Sequence, residues 1–93
     1  MEVTGKIKEI KEIQHISDSF KKREFVVTTE DQYPQHILIE LNQDKCNFLD
    51  EANIGDQITA HINLRGREWV NPQGETKYFN TIQAWKLEIT PGY

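Results

Sequence analysis

Apolar and polar residues alternate most regularly in the last third of the chain. Ile58, Ala60, Ile62 and Leu64 occupy every second position, the alternation passes through Arg65, Arg67 and Trp69, and a turn follows at Asn71-Pro72-Gln73-Gly74. Period-two patterning predicts a strand, and the residues from Thr76 through Trp85 supply its return partner, so this segment reads as a long β-hairpin. Upstream, Phe25 and Val27 alternate with Glu24, Val26 and Thr28, and Ile37, Ile39 and Leu41 repeat the pattern, predicting two further strands. Residues 3 to 16 are less clear, because Ile7, Ile10, Ile13 and Ile16 stand three apart, a spacing an amphipathic helix also produces. Strand is favoured because these residues are β-branched, Gly5 sits near the start and no N-cap precedes them. A bulge would shift the inward parity partway along.

Polar segments separate these runs. Ser17, Asp18 and Ser19 mark a turn, Glu30, Asp31 and Gln32 form a loop leading to Tyr33-Pro34, and Gly55-Asp56 turns the chain into the hairpin. Asn42 or Asp44 is placed to cap a short helix running to about Ala52, with Phe48 and Leu49 facing inward. The predicted order is three strands, a helix and two strands. That is an all-β architecture, a five-stranded OB-fold Greek-key barrel with one short helix between strands three and four, over a single domain from 1 to 93. Phe25, Phe48 and Phe79 are assigned to its core.

Composition narrows the function. The chain has 93 residues, room for one core and one dominant site. No apolar run approaches the roughly 20 residues of a membrane span, and the opening Met1-Glu2-Val3-Thr4-Gly5 has neither a basic nor an apolar leader segment, which predicts the cytoplasm. The single cysteine, Cys46, suits a reducing compartment. His15, His36 and His61 stand apart without ligand spacing, and no phosphate loop or nucleophile motif is present, so neither a metal, a cofactor nor an enzymatic activity is expected.

A net charge of −4 counts against a polyanion partner, but the acids are not evenly spread. Residues 30 to 56 hold seven acids against Lys45, a local charge of −6 that leaves +2 for the rest. Several cations of that remainder group with aromatics: Lys21, Lys22 and Arg23 follow Phe20, Arg65 and Arg67 precede Trp69, and Lys77 precedes Tyr78. Flat rings and cations on a barrel surface suit single-stranded nucleic acid, DNA or RNA, held by stacking and phosphate contacts. The same residues fit a solvated face in which Trp69 covers a barrel end or a subunit contact. Trp85 fits a subunit interface as well as a stacking platform, and Tyr33 either packs or meets a base.

Met1-Glu2-Val3-Thr4-Gly5-Lys6-Ile7, Glu24-Phe25-Val26-Val27, Asp31-Gln32-Tyr33-Pro34, Gly55-Asp56, Arg67-Glu68-Trp69 and Ala84-Trp85-Lys86 together resemble a short bacterial and phage family of OB-fold, single-stranded-DNA-binding-like proteins. The resemblance covers nearly the whole chain. It implies a module of DNA replication, repair or recombination, with Phe20 to Arg23 in the first-hairpin loop and Arg67 to Tyr78 in the last. The chain departs from the family pattern at Phe20, where members often carry tryptophan, and at Asn71-Pro72-Gln73-Gly74-Glu75, where they have a shorter glycine-containing tip. The Gly/Pro-rich tail and acidic tip of the main bacterial single-strand binders do not appear before Tyr93, so no recruiting tail is expected. Small barrels that bind single strands commonly extend their path by joining copies, which predicts a homo-oligomer, dimer or tetramer. The competing expectation is a protein-interaction barrel that buries Trp69 and Trp85 against another subunit.

Overall fold

The computed structural model describes residues 1–91 and contains six strands and one 3-10 helix. They are β1 (Glu2–Ile10), β2 (Gln14–Ser17), β3 (Phe20–Thr29), β4 (His36–Asn42), the helix Gln43–Leu49, β5 (Gln57–Val70) and β6 (Thr76–Thr90). β1 pairs with β3, β3 with β4, β4 in parallel with β6, β6 with β5, and β5 returns to β1. This closes a ring of five strands, the OB-fold plan, with β2 lying along β3 outside the ring.

The first predicted strand is therefore two. Lys8 is an extra residue between the pairs Ile7↔Val27 and Glu9↔Val26, so the bulge restores Ile10 to the inward side opposite Phe25. The chain then leaves the ladder at residues 11–13 and resumes as β2, where Ile16 is exposed. The helix-like spacing of the isoleucines is thus the combined signature of a bulge and a break.

The core forms where inward residues of all five ring strands meet, with Ile7, Phe25, Ile39, Leu41 and Ile58 at its centre. Burying each large side chain contributes roughly 1.5–3 kcal/mol. The helix plugs one end of the barrel with Cys46 and Leu49. Three residues per turn place those two on one line of a 3-10 helix, which leaves Phe48 a third of a turn away and 43% exposed, contrary to the expected core position. Asn42 precedes the helix in extended conformation without a side-chain cap bond. Burial also pushes the Cys46 thiol pKa up, with Lys21 opposing it in part.

Beyond Ile62 and Ala84 the β5–β6 ribbon runs past the barrel, giving a molecule 51 Å long and 19 Å thin. Leu64, expected inside, lies on this arm and is 64% exposed. Asn71 ties the tip: its Oδ1 accepts from the backbone N–H groups of Gln73 and Glu75, and Gly74 takes a φ of 84°. The hairpin turn stands where the sequence puts it.

Candidate nucleic-acid interface

Strand alternation gives the arm two faces of different chemistry. The register pairs Arg65 with Thr81, Arg67 with Phe79 and Trp69 with Lys77, so these six side chains share one face. The Arg67 guanidinium lies 5.2 Å from the Phe79 ring centroid, and the Trp69 and Phe79 rings are 6.5 Å apart. Phe79 is thus the central aromatic of the basic face and not a core residue. A guanidinium over a ring is attracted by its quadrupole, which orients both groups before any ligand arrives.

Where the arm joins the barrel, this face opens into a groove of about 420 Å3 lined by Phe20 and Lys22 of β3, Glu40 of β4, Arg65 and Arg67 of β5, and Phe79 of β6, among others. The register explains the convergence. Phe20 and Lys22 point outward because Phe25 and Val27, at the opposite parity of β3, fill the core. A chain of polar contacts crosses the floor: Lys22 Nζ lies 3.6 Å from Glu40 Oε1, Gln83 Nε2 donates to Glu40 Oε2 at 3.5 Å, and Arg65 Nε donates to Gln83 Oε1 at 3.2 Å. A smaller adjoining cavity joins Arg65 and Gln83 to Lys45, Asn63 and Trp85.

Trp85 reaches this position through a second bulge. β6 carries it as an extra residue between Ala84, opposite Ile62, and Lys86, opposite His61. Its ring lies 5.3 Å from that of His61, whose Nε2 donates to Glu88 Oε2 at 3.1 Å. That hydrogen bond, aided by Lys86, holds the Glu88 carboxyl below its usual pKa.

The remaining sequence candidates are not brought together here. Tyr78 occupies the opposite face of the arm, where its hydroxyl donates to Glu68 at 3.3 Å. Lys21 has the inward parity of β3 and lines a separate cavity with His15 and Gln43. Tyr33 is exposed in the β3–β4 loop, at the far end of β3 from Phe20, about 30 Å away by strand rise. Arg23 is engaged structurally, its Nε donating to Lys11 O at 2.9 Å and its guanidinium reaching Asp50 Oδ1 at 3.3 Å and Cys46 O at 3.4 Å. It pins the gap between β1 and β2 to the helix. Arg23→Ala is expected to lower stability by about 1–3 kcal/mol through these charged hydrogen bonds, with single-strand affinity unchanged within about twofold when titrated below the melting transition.

Ile16, Glu40, Gly66, Thr81 and Gln83 also line the groove without having been marked by sequence, and Phe79 joins them from its expected core position. Phe79 and Gln83 share the parity of Lys77, which was the available signal. Glu40 lay hidden in the acidic middle segment. The other acids of that segment sit mainly in the β3–β4 loop and around the helix, away from the arm. A larger cavity of about 760 Å3 lies beside the helix, with Glu51 and Asp56 but no lysine or arginine in its lining, a poor setting for phosphates. Among the described residues no group of His, Cys, Asp and Glu is arranged to hold a metal ion, and no helix is long and apolar enough to cross a membrane.

The chain belongs to the family described as Domain of unknown function (DUF3127), which matches residues 2–88. No curated protein matches it by sequence. Among solved structures it is similar to the mitochondrial single-stranded DNA binding protein Rim1 of S. cerevisiae, with a TM-score of 0.72 at 13% identity over 100% of this chain and 95% of that one. The selenomethionine-labelled form of the same yeast protein gives 0.69 at 15% identity over the same shares. At such identities the likeness establishes the OB fold.

Proposed function

We propose that this DUF3127 chain binds single-stranded DNA without catalysing a reaction, holding phosphates with Lys22, Arg65, Arg67 and Lys77 and stacking bases on Phe20, Phe79, Trp69 and Trp85. The observation that carries this reading is the alternation of arginines and aromatic rings along one face of the arm, continuous with a groove on the barrel. An extended strand offers what that face complements: flat bases on one side and a charge at every step. The single-strand-binding role of the similar yeast protein supports the reading. RNA offers the same two features and is a second ligand of the same class. The cytoplasm is the proposed compartment, in keeping with the single Cys46.

Titrating fluorescently labelled oligo(dT) and a duplex of equal length across a range of salt concentrations tests the proposal. Single strand is expected to bind more tightly than duplex. Four cations, three lining the groove and Lys77 further along the arm, set a log–log salt slope of about −3 or shallower, at about 0.7 per phosphate contact. Equal affinity for duplex, or no binding at low salt, overturns it.

A second copy of the chain is the proposed partner of the arm's other face, where Leu64, Val70 and Tyr78 are exposed together. A bare two-stranded ribbon is marginal in water, so covering that face in a symmetric dimer, or a tetramer built from two, stabilises the arm while leaving its basic face free. Sedimentation is expected to show self-association that Leu64→Glu abolishes. A monomer at every concentration counts against it.

A further inference from the structure

Glu40 is out of place in a groove meant only for phosphates. Its carboxylate lies among Lys22, Arg65 and Arg67, its side chain is 14% exposed, and Glu24 stands directly opposite it across the β3–β4 pair. Like charges facing each other on one sheet face are destabilising, and a carboxylate in a polyanion path repels the ligand. Lys22 and Gln83 each approach one oxygen of Glu40, yet a carboxylate has about four lone-pair positions, so acceptor capacity remains on both oxygens. The groove lining also includes Phe20 and Phe79, the rings on which the proposed strand would stack its bases.

We propose that Glu40 reads base edges, favouring guanine over thymine at one position of the bound strand. Guanine presents N1–H and N2–H side by side, a pair of donors that matches two carboxylate oxygens. Thymine presents one N3–H between two carbonyl oxygens, which the carboxylate repels. Gln83, tied to Arg65 on one side and Glu40 on the other, is the positioning residue that fixes the carboxylate plane. The inference rests on the single-strand reading and adds a base preference to it.

The test is competition between oligo(dT) and the same strand carrying guanine at regular intervals, measured by fluorescence anisotropy with wild-type protein and Glu40→Gln. The wild type is expected to prefer the guanine strand about fivefold or more, the lower end of what a bidentate base contact supplies. In Glu40→Gln the ratio is expected to fall within about twofold, with thymine binding stronger and guanine binding weaker. A purely structural role would weaken both together. Replacing guanine by inosine, which lacks the N2 amino group, probes the same contact with the protein unaltered and is expected to lose most of the preference even where the variant folds poorly. Binding to oligo(dT) with no guanine preference, or a preference that survives both changes, overturns the assignment of Glu40 and leaves the groove standing. Failure of wild-type protein to bind either strand at low salt overturns the groove as well.

Discussion

Gly5→Ala is expected to lower stability by about 2–3 kcal/mol and the melting temperature by roughly 10–20 °C, the scale of overpacking in a domain of this size. A Cβ at Gly5 would stand 2.1 Å from the Thr28 carbonyl oxygen, 2.8 Å from its carbon and 3.0 Å from the Thr29 Cα. All three are backbone atoms of β3, so no side-chain rotation relieves the clash. The close approach follows from topology: Gly5 pairs with Thr29 of β3 and with Ile58 of β5, and with Lys6 it forms the stretch where β1 is paired on both sides. Gly66→Ala is the control, because its Cβ would meet only the Asn80 side chain at 3.5 Å. Thermal melting followed by circular dichroism separates the two. Equal melting points for both variants would show that β1 has room to move away from β3.

The element order was legible because strand alternation is written in residues whose burial the barrel enforces. Phe25 with Val27, Ile39 with Leu41, and Ile58 with Ala60 and Ile62 all face inward as their parity demands. A parity-shifting bulge in the first strand was anticipated, but where pairing departs from regularity was not: the bulges at Lys8 and Trp85 each insert one residue and reverse parity, and nothing in the local sequence fixes their position. Phe48 escaped because its exposure depends on a 3-10 rather than an α periodicity. Leu64 kept its parity but lost its core, since where a ribbon outruns its barrel is a property of strand length against ring size.

The candidate site's shared face was legible in the hairpin and less so elsewhere. Arg65, Arg67, Trp69 and Lys77 share a face because cross-strand register follows from the turn at Asn71–Gly74, and the turn was readable. Tyr78 was grouped with its neighbour Lys77 as a binding candidate, although adjacent strand residues point to opposite sides. In the same way Phe20 and Lys22 separate from Lys21 and Arg23. Composition identified a basic run, while parity divides Phe20 to Arg23 into two groove residues, Phe20 and Lys22, a cation at another cavity and a structural clamp.

Phe79→Ala is expected to weaken single-strand binding by about 1–3 kcal/mol, the usual worth of an aromatic base platform, with little change in melting temperature because its ring is outside the core. Trp69→Ala is expected to cost a similar amount or less. Trp69 lies further toward the tip, one register step beyond the groove, but it also braces the Phe79 ring. Since the two rings touch, the double variant is expected to lose less than the sum of the single losses. Arg67→Ala acts differently, removing a phosphate contact and so flattening the salt slope by about 0.7, while also freeing the Phe79 ring that its guanidinium covers. Titrations with oligo(dT) at several salt concentrations distinguish these effects, and sedimentation runs beside them. If Phe79→Ala and Trp69→Ala leave affinity unchanged but dissociate the protein into monomers, the basic face of the arm is a contact between subunits, and the nucleic-acid path must be sought elsewhere on the barrel.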